Sequence, residues 1–153
     1  AIFRKNTSGT YQGFFPDLDG CLSIGETLDD AIEKANEFLS LGATVCAICG
    51  ATVALANLGL LDSRRHTSNG QGFLEMFSPA YKGQDFYIDE PSISDNNLIT
   101  ASSSGALLWA KQIIERLGVF EATTLEAWFD YFSTGKPEYF FALMQTLPDG
   151  NVS

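Results

Sequence analysis

The chain predicts an α/β fold, a single three-layer-like domain, on three observations. Residues 43–49 are apolar almost throughout, as a strand covered on both faces would be. Apolar residues recur at helical spacing on both sides of that strand. Leu28, Ala31, Ile32, Ala35, Phe38 and Leu39 precede it, while Leu107, Leu108, Ile113, Ile114 and Leu117 follow well after. Finally, strand-like and helix-like stretches are mixed along 153 residues, a length suited to one domain, with no repeat, low-complexity tract or linker to divide it.

Local chemistry justifies each element. Residues 1–5 and 11–15 read as short strands around the turn residues Asn6-Thr7-Ser8-Gly9. A third strand, 21–24, follows Pro16-Asp17-Leu18-Asp19-Gly20. Thr27 can cap the helix 28–39, Asp29 and Asp30 suit its positive end, and Gly42 can stop it. Gly50 opens a second helix reaching about Leu58, before Gly59. Residues 63–83 are turn-rich and read as irregular. Residues 92–94 and 98–100, flanking Asp95-Asn96-Asn97, predict a hairpin. A third helix covers 107–117 and closes at Gly118. Thr123-Thr124-Leu125-Glu126 resembles a capping box for a fourth, and Pro137 suits the first turn of a last helix ending near Leu147. The first three strands are expected to join one sheet with 43–49, because an apolar strand needs hydrogen-bonded neighbours. Helix 28–39 would then lay Ile32 against that sheet.

Charge narrows the partners. Nineteen acidic residues against nine basic ones give a formal charge of −10. That field repels phosphate backbones, so nucleic acid is not an expected partner. It would suit a small basic protein, although a solvated acidic surface explains it more simply. Neither a run of about eighteen apolar residues nor a basic leader is present, so no membrane span or export signal is expected. Three cysteines make no disulfide framework, and with the charge they point to the cytoplasm.

Two resemblances extend this reading. The string Tyr11-Gln12-Gly13-Phe14-Phe15-Pro16-Asp17-Leu18-Asp19-Gly20-Cys21, then Gly25-Glu26-Thr27-Leu28-Asp29-Asp30-Ala31, resembles the HicB antitoxin family over about residues 1–40. From about 32 to 148 the chain is similar to the PfpI superfamily of class I glutamine amidotransferase-like proteins. The residues carrying that likeness are Ala47-Ile48-Cys49-Gly50-Ala51-Thr52, Gly59-Leu60-Leu61-Asp62, His66-Thr67-Ser68-Asn69 and Asn97-Leu98-Ile99-Thr100-Ala101-Ser102. Together they imply a mixed sheet in which HicB-like strands join a flavodoxin-like PfpI-type half, with the seam inside helix 28–39. Such a join suggests an engineered or recombined chimera with no evolved activity. The alternatives are a cysteine-dependent hydrolase, glyoxalase or deglycase of PfpI type, and a HicB-like toxin-binding module.

Cys49 is the candidate nucleophile, at a sharp strand-to-helix turn. The start of a helix presents backbone N–H groups and a positive dipole end to such a sulfur. The PfpI likeness makes this cysteine the nucleophile or redox-sensitive thiol, with a glutamate supplied by strands that precede this part. His66 is a candidate partner in the wrong register: the family histidine falls two residues after Thr67, where Asn69 stands. A surface or structural role suits His66 better. Cys46 and Cys49 have a Cys-x-x-Cys spacing, but residues three apart on a strand face opposite ways, and too few further ligands exist for zinc. Cys46 reads as a buried small apolar residue. Asp17, Asp19, Glu26, Asp29 and Asp30 lack a calcium-loop spacing, and the glycines form no phosphate loop, so neither metal nor cofactor is expected. Trp128, Phe129, Tyr131, Phe132, Tyr139, Phe140 and Phe141 crowd two helices and read as packing; exposed, they would make a homodimer surface.

Overall fold

A computed structural model describes residues 2–5, 11–14, 22–25 and 40–147 of the chain. The expected turn at 16–20, Cys21, the acidic cluster around it and helix 28–39 with Ile32 lie outside the described residues. Strands β1 (Ile2–Lys5), β2 (Tyr11–Phe14) and β3 (Leu22–Gly25) form one antiparallel sheet, with Ile2 opposite Phe14 and Tyr11 opposite Gly25. Strands β4 (Val45–Ile48), β5 (Ser92–Asp95) and β6 (Leu98–Ala101) form a second sheet in the order β4-β6-β5. There β4 runs parallel to β6 and β5 runs antiparallel to it, so this small sheet is mixed.

The single sheet expected to join the first strands to β4 is therefore not formed. Strands close in sequence pair with each other at little loop-closure cost, and β1–β3 do so. The hydrogen-bonded neighbour of β4 is instead β6, from fifty residues further along. All four residues of β6 are buried, which fits the central strand. Cover on both faces of β4 is also less than its sequence suggested, since only Ala47 is buried and Val45, Cys46 and Ile48 are half-buried. The β5–β6 hairpin matches its turn chemistry: Asp95 faces Leu98, and Asn96 takes a left-handed φ of 54°, which asparagine tolerates.

Helices among the described residues are α1 (Ala51–Asn57), α2 (Phe73–Phe77), α3 (Ala106–Leu117), α4 (Ala122–Thr134) and α5 (Pro137–Thr146). Helix α2 interrupts the stretch that read as irregular. The capping box is absent: α4 starts after Glu121, which makes no side-chain cap, and Thr124 instead donates to the Thr146 carbonyl at 3.2 Å. That bond ties the start of α4 to the end of α5. The core gathers Ala47, Leu55, Ala56, Leu61, Leu74, Tyr81 and Leu98, so β4, β6, α1 and α2 enclose it. Burial of the aromatic helix residues is partial. Trp128 stacks near Phe132 at 5.1 Å and Tyr131 near Phe140 at 5.4 Å, yet Phe132, Phe140 and Phe141 remain exposed. No described helix is long and apolar enough to cross a membrane.

Candidate active site

Strand β4 ends one residue before Cys49, and α1 begins two residues after it. To turn that corner Cys49 takes φ 56°, a left-handed value uncommon outside glycine that costs about 1–3 kcal/mol. Its backbone is held on both sides. The Cys49 N–H donates to the Ala101 carbonyl of β6 at 3.0 Å, while the Cys49 carbonyl accepts from the Thr52 N–H at 3.2 Å and the Thr52 hydroxyl at 2.6 Å. Half-buried, the residue keeps access to solvent.

Asn69 meets the sulfur. Its Nδ2 donates to Cys49 Sγ at 3.3 Å, and its Oδ1 accepts from the Ser103 N–H at 2.9 Å. A backbone N–H can bond only to the amide oxygen, which fixes the NH2 toward the thiol. Asn69 therefore donates to the sulfur and cannot take its proton. Asn69, which the PfpI likeness set at the place of that family's histidine, is thus an amide donor to the sulfur and not a base.

His66 is placed elsewhere in function. It is fully buried, with Nδ1 2.6 Å from the Arg64 carbonyl and Nε2 2.6 Å from the Tyr81 hydroxyl. The carbonyl only accepts, so Nδ1 carries the proton and Nε2 accepts from Tyr81. Both ring nitrogens are committed, and the rings of Tyr81 and Tyr87 meet the imidazole edge-on at 5.6 and 5.9 Å. Burial holds its pKa below the ordinary 6.5, offset in part by the Arg64 carbonyl and by Asp62 and Glu75. Burial likewise raises the Tyr81 hydroxyl well above its usual range. His66 is thus a buried, neutral imidazole with both nitrogens engaged.

Cys46 is half-buried, a little more open than expected, and burial pushes its thiol up to about 11. It stays protonated at neutral pH and is a poor nucleophile. No group of three metal-binding side chains forms among the described residues.

Two residues near the thiol carried no role in the sequence reading. The Thr52 and Ser68 hydroxyls lie 2.7 Å apart, both buried, beside the Cys49 carbonyl. Their signal in the sequence is only that each sits within a motif already singled out, one after Ala51 and the other before Asn69.

A strained cysteine between a parallel strand and a helix, on a mixed α/β sheet, defines a thiol-bearing elbow. The sequence profile of the DJ-1/PfpI family matches residues 22–116, and the chain belongs to that family. It is similar to the uncharacterized protease YoaZ of Bacillus subtilis (strain 168), 46% identical over 131 residues, which make up 85% of this chain and 62% of that protein. Among solved structures, a thiJ/pfpI family protein from Bacillus anthracis matches with a TM-score of 0.75 at 44% identity, over 77% of this chain and 56% of its own. A DJ-1 superfamily protein from Agrobacterium tumefaciens matches with a TM-score of 0.61 at 30% identity, over 71% of this chain and 55% of its own. The chain thus spans about three-fifths of the length of these relatives.

These matches overturn the expected chimera. The family profile begins at residue 22, inside the stretch assigned to a HicB likeness. A 131-residue match with YoaZ is also longer than residues 32–148 can hold. The chain is a natural DJ-1/PfpI family member, and neither a HicB-like part nor a toxin-binding module finds support in the comparisons. The likeness misled because its residues are generic: a Pro-Asp turn and a Gly-Glu-Thr helix start serve many strand-to-helix junctions. With the chimera falls the reading of a fold without evolved activity.

Proposed function

We propose that this chain carries the nucleophile of a cysteine-dependent hydrolase of DJ-1/PfpI type, with Cys49 as the attacking group. The observation that carries the reading is the contact between Cys49 Sγ and the amide of Asn69, made at a backbone strained to present that sulfur. Strain at a solvent-accessible side chain is a feature of functional sites. The name protease given to YoaZ, 46% identical over most of this chain, supports an acyl group as the target.

In such a reaction the thiolate attacks the acyl carbon and a C–S bond forms. The carbonyl π electrons move to oxygen, and the collapsing intermediate expels the leaving group, which takes a proton from solvent. Water then attacks the thioester, the C–S bond breaks, and the acid and the free thiol are released. Asn69 positions the sulfur through its amide donor. It supplies no proton transfer, so the thiol proton passes to water and activated substrates are favoured over plain amides. Sulfur can add to a reactive α-oxoaldehyde to give a hemithioacetal, but turning that over to a hydroxy acid needs a base for a carbon-bound proton, which Asn69 does not supply.

The test is turnover on an aryl ester, an unstructured protein and an α-oxoaldehyde by the protein and by Cys49→Ala. The expected result is ester turnover that Cys49→Ala abolishes. Equal rates in the two proteins on all three substrates would overturn the assignment.

A further inference from the structure

We propose that Thr52 and Ser68 form a two-hydroxyl brace that holds Cys49 in its left-handed conformation and thereby sets the reactivity of its thiol. This rests on the reading of Cys49 as the nucleophile and adds positioning residues to it. Counting protons gives the brace its direction. The Thr52 hydroxyl has one hydrogen, and at 2.6 Å it must go to the Cys49 carbonyl, which can only accept. The 2.7 Å contact with Ser68 is then filled by the Ser68 hydroxyl donating to Thr52 Oγ1. The relay runs from Ser68 through Thr52 to the carbonyl of the strained residue.

Neither hydroxyl is a surface group. Thr52 is 0% exposed and Ser68 2%, so a broken link leaves a buried hydroxyl or carbonyl one hydrogen bond short, with no water to replace it. Ser68 also adjoins Asn69, which donates to the sulfur. One dipeptide therefore grips Cys49 at both ends, its carbonyl through Thr52 and its sulfur directly. Loosening the first grip lets the elbow relax toward ordinary φ and carries Sγ away from the Asn69 amide. Thr52 and Ser68 touch no reacting atom; they act through Cys49.

The experiment measures the rate of iodoacetamide alkylation at Cys49, resolved by peptide mass, alongside the melting temperature. A buried hydrogen bond is worth about 1 kcal/mol, so Thr52→Val and Ser68→Ala should each slow alkylation roughly five- to tenfold. Thr52→Ser, which restores the hydroxyl, should recover most of the rate. The double variant should be little slower than Thr52→Val, because both act through one relay. Alkylation at the unaltered rate in Thr52→Val and Ser68→Ala would overturn the brace. So would a rate in Thr52→Ser as low as in Thr52→Val. Should Thr52→Val fail to fold, Ser68→Ala and Thr52→Ser decide alone. Alkylation needs no turnover, so a protein that hydrolyses nothing yet shows this pattern keeps the brace and loses the hydrolase.

Discussion

Gly105 is where a single methyl group should disturb both fold and site. A Cβ at this position would lie 1.9 Å from the Pro91 carbonyl oxygen and 2.6 Å from its carbon, where ordinary contacts are 3.4–4 Å. Backbone torsion is not the obstacle, since Gly105 has φ −87° and ψ 10°, values open to alanine. Nor can the loop easily retreat. Pro91 O already accepts the Ser102 N–H at 3.0 Å, and Gly105 N–H donates to Ser102 O at 3.0 Å. Between them lies Ser103, whose N–H anchors Asn69. Overpacking of this kind costs about 1–3 kcal/mol, and a clash with backbone belongs at the upper end, so Gly105→Ala should lower the melting temperature by roughly 4–12 °C. Cys49 alkylation should slow with it, as Asn69 loses its anchor. Gly50→Ala is the control: its Cβ meets nothing within 4 Å and its torsions are already helical, so stability should hold or rise by about 0.4–1 kcal/mol. Calorimetric melting of both variants measures this directly. An unchanged melting temperature in Gly105→Ala would refute the close approach of the 103–105 turn to Pro91.

Three further outcomes follow from the titrating groups and the core. The folded pKa of His66 lies below its unfolded value of 6.5, so the unfolded chain binds the extra proton first. Its contribution to stability is complete above pH 6.5 and is lost as pH falls through the folded pKa; denaturant midpoints across that window should decline, and less so in His66→Phe. For Cys46, raised to about 11 from 9.0, the folded state holds its proton longer, so stability should fall as pH rises from 9 toward 11, a decline missing in Cys46→Ala. Cys46→Ala should also leave the neutral-pH alkylation at Cys49 unaltered, as peptide mapping would show.

Legibility in the sequence tracked how local the physics was. The β5–β6 hairpin, the strand read over 43–49 and found at Val45–Ile48, and the helices opened by Gly50 and Pro137 were readable because each depends on residues within a turn of one another. Asn69 was found because the family likeness marked its position, but its role was not: the bond from Ser103 that orients its amide spans thirty-four residues. Thr52 and Ser68, sixteen apart, were unremarkable as residue types and became visible only as a pair. The pairing of β1–β3 into their own sheet was missed for the opposite reason. An apolar strand announces that it needs neighbours without saying which, and β4 found one in β6. The HicB likeness failed because turn and cap chemistry is shared by unrelated chains.

The claim that Cys49 is the nucleophile that becomes acylated is tested most directly by trapping the thioester. The protein would be incubated with an activated aryl ester, quenched in acid and mapped by peptide mass. The expected result is a single acyl increment on the peptide bearing Cys49, placed on that residue by fragmentation. It should be released by hydroxylamine and missing in Cys49→Ser. An increment on Cys46 instead, or none on Cys49 while ester is consumed, would contradict the account.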